Sequence, residues 1–224
     1  MVKFFAFIPA RAGSKRIINK NLVKIKNKPL IYYSINASLR SKYISKTILY
    51  SDSIKIQKFG KKFGAEINYK RPRNISKDSS SMYQTLSYFF SKNKMFKSFD
   101  YLVLLQPTSP QRNTQDINNA CKMLLKNKKA DGLVSTFLIK KMKKDYPNKF
   151  MIKKKNYLKI IDRKKSNDST KNIYLRNGPA ILILKVKAIK KNLYDNKLLN
   201  FVMPEKRSID LNTIKDLKEL KKIF

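Results

Sequence analysis

The sequence predicts an α/β fold with a largely parallel sheet, and three observations carry the prediction. Short apolar runs of strand length alternate with longer segments whose apolar residues recur at helical spacing, the pattern of βαβ units. One run, YLVLL at Tyr101 to Leu105, is continuously apolar and is stopped by Gln106 and Pro107, as a strand buried on both faces would be. The chain has 224 residues, enough for one large domain with a full core, here read as residues 1–224.

Each element follows from its local pattern. Phe4 to Ile8 is a strand that runs into the charged loop Arg11 to Asn21. Pro29 sits where the first turn of a helix begins, and LIYYSINASLRS continues it at helical spacing. Thr47 to Tyr50 reads as a strand, Ile54 to Phe63 as a helix with Gly64 just past its end, and Glu66 to Tyr69 as a short strand. A helix is expected from about Ser80 to Phe90, another from Asn113 to Leu125, and strands at Leu133 to Leu138 and Ala180 to Leu184. Thr213 to Ile223 is amphipathic and closes the chain as a helix. Between Lys140 and Asn172 the composition turns lysine-dense, with two short strand candidates, Phe150 to Ile152 and Tyr157 to Ile161, and reads as a hairpin or arm leaving the sheet.

Composition excludes several chemistries. Histidine is absent, which removes histidine bases, histidine metal ligands and Ser-His or Cys-His pairs together. The single cysteine, Cys121, excludes an intrachain disulfide and a cysteine-rich metal site. No apolar run approaches the roughly 18 residues of a membrane helix, so a soluble, cytoplasmic protein is expected. The balance of 52 Lys+Arg against 14 Asp+Glu, a net charge of +38, would ordinarily suggest nucleic acid. Here the charge is mostly lysine, spread along the whole chain with many Asn and Ile. All three residues are read from A/T-rich codons, so we take the charge as a solvated surface and nucleic acid as not the expected partner.

The chemistry is concentrated where strands end. The loop after the first strand gathers Arg11, Gly13, Ser14, Lys15, Arg16, Lys20 and Asn21, cations and small residues of the kind that hold a triphosphate. Its spacing is neither G-x-x-x-x-G-K-S/T nor G-x-G-x-x-G. On the loop alone, a phosphate cradle and an ordinary basic surface loop stand level. Ser51-Asp52-Ser53, the run Gln106 to Pro110, and Asp210-Leu211-Asn212 also fall at predicted strand ends. In open α/β sheets ligands bind beyond such ends, so convergence of these groups on one edge is the physical argument for a site. Arg71-Pro72 and the run Asp78 to Ser81 offer groups that could read a base or ribose, although such runs before helices usually serve as caps.

Taken in order, PARAGSKRIINKN, KPLIYYSI, SDS, AEINYKRP, KDSSS, YLVLLQPTSPQR, RNGPAILI and RSIDLNT resemble the acylneuraminate cytidylyltransferases, which include the CMP-sialic acid synthetases and relatives acting on pseudaminic and legionaminic acids. The likeness runs from Phe4 to about Leu220. It implies a three-layer, Rossmann-like nucleotide-diphospho-sugar transferase fold with a mostly parallel sheet and a small dimerisation arm. It further implies a Mg²⁺-dependent reaction of CTP with a 2-keto-3-deoxy sugar acid, and a homodimer. By the same resemblance, Arg11, Ser14, Lys15, Lys20 and Asn21 hold the triphosphate, with Lys20 and Arg11 nearest the leaving pyrophosphate. Arg71, Asp78 and Ser81 fall on the cytidine side, Gln106 on the sugar, Asn177 and Gly178 in a turn beside the sugar pocket, and Asp210 with Asn212 at the metal.

The chain departs from the family pattern at named positions. The usual Asp-x-Asp metal pair reads Asp210-Leu211-Asn212, in which Asn212 or Thr213 would also serve as a helix cap. Ala12 and Arg16 replace glycines in the opening loop. Asn167 stands where many relatives have an arginine and Ile181 where many have a tyrosine; Arg163, Lys164, Lys165 or Arg176 could supply the lost cation. These changes keep two alternatives open: a 3-deoxy-manno-octulosonate cytidylyltransferase, and a catalytically weak nucleotide-binding relative.

Overall fold

Alternation along the first strand, β1 (Phe4–Pro9), sets the layers: Phe4, Ala6 and Ile8 enter one core, Phe5 and Phe7 the other, and all five are buried. The structure, a computed structural model, describes residues 1–139, 150–161, 172–178 and 180–224. After β1 come a two-residue pair, β2 (Lys24–Ile25) and β3 (Lys28–Pro29), then α1 (Leu30–Leu39), β4 (Ile44–Tyr50), α2 (Ile54–Lys62) and α3 (Met82–Lys92). The chain continues with β5 (Tyr101–Leu104), α4 (Thr114–Leu125), β6 (Gly132–Leu138), β7 (Phe150–Lys154) and β8 (Tyr157–Ile160). It ends with β9 (Ile173–Arg176), β10 (Leu182–Lys185), β11 (Leu198–Val202) and α5 (Ile214–Ile223).

Among the described residues nine strands form one mixed sheet in the order β4-β1-β5-β10-β6-β9-β7-β8, with β11 also paired to β6. The neighbours of β1 and the β6–β11 pair are parallel, and β10, β9 and β8 run against the rest. Helices α1, α2 and α4 cover one face through Ile31, Ile35, Ile56, Ile117 and Leu124; α3 covers the other through Leu86, Phe89 and Phe90. Phe7 and Phe89 meet edge to face at 5.0 Å, and truncating a fully buried phenylalanine of this kind costs about 3–5 kcal/mol. Helix α5 lies on a smaller core in which Leu220 and Leu211 meet Ile17 of the opening loop and Leu30. That contact ties the chain's last segment to its first loop.

Strand order reverses at β1: the chain goes to β4 on one side, then returns to place β5 on the other. The carboxyl ends of β1, β4 and β5 therefore face one crevice. Because β10 is antiparallel, with Leu182 opposite Leu104, its amino end is delivered to the same edge and brings the Asn177-Gly178 turn with it.

The structure corrects the sequence reading in three places. Glu66 to Tyr69 is not a strand; isolated bridges tie Glu66 to Ile48 and Lys70 to Ser51, and Tyr69 between them turns into the aromatic core against Phe89 and Phe96. The described part of the lysine-dense stretch is the expected hairpin, but it continues the sheet through β9 instead of leaving it and buries Phe150, Met151 and Leu158. Residues 140–149 and 162–171, with Asn167, Arg163, Lys164 and Lys165, lie outside the described residues. Strands β2, β3, β9 and β11 went unread, being short or set among lysines. Gly64 does follow the α2 terminus with φ +88°, as its C′ role requires. No helix among the described residues is long and apolar enough to cross a membrane.

Candidate active site

The opening loop is held by its own side chains and by the strands beside it. The Ala12 N–H donates to Asp52 Oδ1 (2.9 Å), pinning the loop to the end of β4. Buried Asn21 donates from Nδ2 to the Arg11 carbonyl (2.9 Å), closing the loop on itself. Lys20 donates from Nζ to the Leu211 carbonyl (2.9 Å), and the Leu211 N–H donates to the Thr108 carbonyl (2.8 Å). Three of the four polar groups read at strand ends are thus linked to one another through main-chain and side-chain bonds, and the fourth through Asp52.

The result is a basic cavity of about 380 Å³ walled by Arg11, Lys15, Arg16 and Lys20, with Ser14, Asp78 and Asn212 completing it. A second cavity of about 190 Å³ shares Arg11, Ser14, Lys20 and Asp78 and extends past Arg71 to Gln106 and Thr108. Among the described residues Asp78 is the one carboxylate on the first cavity's wall, and it pairs with Arg11 and with Lys15 (3.3 Å). Those two cations hold the Asp78 carboxyl below its ordinary range. The Lys20 pKa is lowered as well, but against its charged form: burial causes the shift, and the nearby Asp210 carboxylate works against it. A cation kept short of full solvation beside an open anion site gains more from an incoming phosphate than a solvated one. A larger cavity, about 820 Å³, lies between β8 and residues 190–197, and none of the residues singled out in the sequence lines it.

The family model that matches the chain is that of a cytidylyltransferase, over residues 5–223. The chain belongs to the cytidylyltransferase family. A pseudaminic acid cytidylyltransferase from Campylobacter jejuni is 28% identical over 233 residues, covering 100% of this chain and 97% of that protein. An N-acylneuraminate cytidylyltransferase from Escherichia coli is 27% identical over 221 residues, 96% of this chain; the chain spans about half of that longer protein, 51%. A CMP-N,N'-diacetyllegionaminic acid synthase from Legionella pneumophila is 35% identical over 123 residues, 54% of this chain and 53% of that protein. Among solved structures, a CMP:2-keto-3-deoxy-manno-octonic acid synthetase in complex with CTP superposes with a TM-score of 0.72 at 15% identity, covering 99% of this chain and 98% of that one, a likeness of fold.

Within this cytidylyltransferase the remaining residues take different positions from one another. Arg71 is buried, donates from Nε and Nη2 to the Ile75 carbonyl and from Nη2 to Thr85 Oγ1 (3.2 Å), and so fastens its loop to α3 while walling the smaller cavity. Ser81 is spent as the N-cap of α3, accepting from the Gln84 N–H (3.1 Å), and Ser80 lines the cavity instead. Asn177 is fully committed: Oδ1 accepts from Ser135 Oγ (2.8 Å), Nδ2 donates to Ser208 Oγ (3.1 Å), and its carbonyl accepts from Ser109 Oγ (2.9 Å). Its side chain therefore pins the turn rather than facing a cavity. Gly178, at φ +110°, leaves no room for a Cβ, which would sit 2.5 Å from Ser109 Oγ and 3.1 Å from Asp210 Oδ1. Ile181, the position of the family tyrosine, is buried in the core.

At the other wall, Asn212 donates from Nδ2 to Asp210 Oδ2 (2.9 Å), so the two side chains two residues apart meet on one side as an extended segment allows. Thr213, not Asn212, caps α5. Among the described residues there is no cluster of three or more acidic or cysteine side chains that would cage a metal. Mg²⁺ keeps waters and substrate phosphates, and one carboxylate with one amide oxygen beside a phosphate-sized basic cavity fits such a shared site. Cys121 lies in the core, and burial pushes its thiol up to about 12, so it plays no part. Arg112 and Ser34 stand inside the motifs YLVLLQPTSPQR and KPLIYYSI but were given no role in the sequence reading, because the bonds that reveal one join residues 68 and 78 positions apart.

Proposed function

We propose that this cytidylyltransferase transfers the cytidylyl group of CTP to a nine-carbon 2-keto-3-deoxy sugar acid of the sialic, pseudaminic or legionaminic type, releasing pyrophosphate. The observation that carries the reading is the joined pair of cavities, in which four cations face Asn212 at one end and Gln106 closes the other. In this reading the sugar's anomeric hydroxyl attacks the α-phosphorus, the bond from that phosphorus to the bridging oxygen breaks so that pyrophosphate leaves, and the hydroxyl's proton is given up to water. The protein positions the two substrates and stabilises the charge that spreads to the leaving pyrophosphate. Lys20 and Arg11 meet that charge, Lys15 and Arg16 hold the outer phosphates, and Asn21 keeps Arg11 in place. Asp78 holds Arg11 and Lys15 at the cavity wall, where incoming phosphates compete with it for those two cations.

Asp210 with Asn212 would hold Mg²⁺, which supplies charge neutralisation across the phosphates. The dimer and the cytoplasmic location belong to the same proposal, and a monomeric mass in light scattering at micromolar concentration would remove the dimer from it. Pyrophosphate release from CTP, with N-acetylneuraminic, pseudaminic, legionaminic and 3-deoxy-manno-octulosonic acids offered in parallel, tests the reading. Turnover with a nine-carbon acid supports it; turnover with only the eight-carbon acid replaces it with the octulosonate alternative.

A further inference from the structure

Among the largest fully buried side chains is a cation, Arg112. It ends the loop that leaves β5, and it reaches three separate elements. Nε donates to the Ala180 carbonyl (2.7 Å), and Nη2 donates to both the Ser34 hydroxyl of α1 (2.9 Å) and the Gln106 carbonyl (2.8 Å). Nη1 is buried without a hydrogen-bond partner among the described residues. The carboxylate whose field it feels, Asp116, is already engaged by Arg207 through two bonds of 2.7 and 3.0 Å and by the cap of α4. A buried guanidinium with no carboxylate of its own is a poor stabiliser, since an apolar side chain of like volume would pack there without the desolvation cost.

What the cation does accomplish is geometric. Gln106 borders the smaller cavity, and Ala180 follows the Asn177-Gly178 turn by two residues. The loop that Arg112 anchors also donates from Ser109 Oγ to the Asn177 carbonyl and accepts the Leu211 N–H at Thr108. We propose that Arg112 is a positioning residue that fixes the sugar side of the site, clamping the Gln106 loop and the start of β10 to α1 with one planar fork. The substrate in that statement rests on the cytidylyltransferase reading above. Lysine cannot reproduce the clamp, because its ammonium is a point donor on a flexible stem.

The test uses the full chain carrying Arg112→Lys, and separately Ser34→Ala, with KM measured for each substrate, CTP binding by calorimetry, and hydrogen exchange read by mass spectrometry. Arg112→Lys is expected to raise KM for the sugar acid about tenfold and lower kcat, with CTP affinity unchanged within about threefold. Exchange should quicken together in residues 106–111 and 176–183 and stay unchanged in residues 11–21. Ser34→Ala should move the same quantities in the same direction by a smaller factor, and it carries the test alone if Arg112→Lys does not fold. An unchanged sugar KM, an equal loss of CTP binding, or exchange raised evenly across the sheet overturns the inference. If wild type releases no pyrophosphate with any acid, the functional reading falls, and the exchange experiment, which needs no turnover, still decides whether Arg112 holds these two segments.

Discussion

Replacing Lys20 by alanine should cost catalysis far more than stability, and the structure sets both magnitudes. The Lys20 ammonium has three donors, of which one goes to the Leu211 carbonyl at 2.9 Å, leaving two for the nucleotide. Removing a preorganised donor from a site where charge develops typically costs about 10²–10³ in kcat, or about 3–4 kcal/mol of transition-state stabilisation. Folding loses one hydrogen bond, about 1 kcal/mol, and is relieved of part of the cost of a half-buried cation. Pyrophosphate release at saturating CTP, paired with a thermal melt, separates the two effects.

The same residue predicts a pH dependence. Burial lowers the Lys20 pKa, so the charge needed for phosphate binding is lost as pH rises through a value below the usual 10.5. In that interval the folded protein holds fewer protons than the unfolded chain, so stability rises with pH while the alkaline limb of kcat/KM falls. Lys20→Arg, which stays protonated, should remove that limb. A Lys20→Ala variant with turnover within about threefold of wild type would refute the assignment of this loop to the leaving group.

Three further outcomes follow from the same geometry. Asp78→Asn frees Arg11 and Lys15 from their shared carboxylate; the expected result is CTP binding tightened several-fold at low salt, whereas weaker binding would show that Asp78 contributes more to the nucleotide than it withholds. Since Arg11 and Lys15 hold the Asp78 carboxyl below its ordinary range, its pairing is lost only as pH falls into the acid range below that of a free carboxyl, and it adds no pH dependence to binding around neutrality. Gly178→Ala places a Cβ against Ser109 and Asp210 at a left-handed φ, and should lower stability by about 1–3 kcal/mol and reduce turnover; a normal melt with full activity contradicts the packing described. Asn212→Asp exchanges two hydrogen bonds to Asp210 for a second carboxylate, and should lower the Mg²⁺ concentration for half-maximal rate while reducing stability in metal-free buffer. Metal dependence unchanged by that variant would place the ion elsewhere.

Much of the fold was legible because its signals are local. The apolar runs FFAFI and YLVLL, the helical spacing from Asn113 to Leu125 and the cap candidate Thr213 act within a few residues, and the structure places β1, β5, α4 and α5 accordingly. The gathering of Arg11, Ser14, Lys15, Lys20 and Asn21 was legible for the same reason, since they come from one loop, and the structure sets them around two adjoining cavities. Features that depend on distant partners were not. Arg112 acts on residues 68 and 78 positions away, and Asn177 spends its side chain on Ser135 and Ser208, so the motifs YLVLLQPTSPQR and RNGPAILI mark both positions without disclosing their partners. Ser81 illustrates the converse, since a serine before a helix meets the local demand for a cap before any demand from a ligand. The β7–β8 turn places Lys155 at φ +55° where a glycine or asparagine would have announced it.

The central claim is that the basic cavity after β1 works with Asp210 to transfer a cytidylyl group. The most direct measurement is pyrophosphate release from CTP with Mg²⁺ and the four acids, run beside Asp210→Ala. Release is expected with one nine-carbon acid and should be lost in the variant while CTP still binds. Release that survives the loss of Asp210, or CTP binding with no release under any acid, would contradict it.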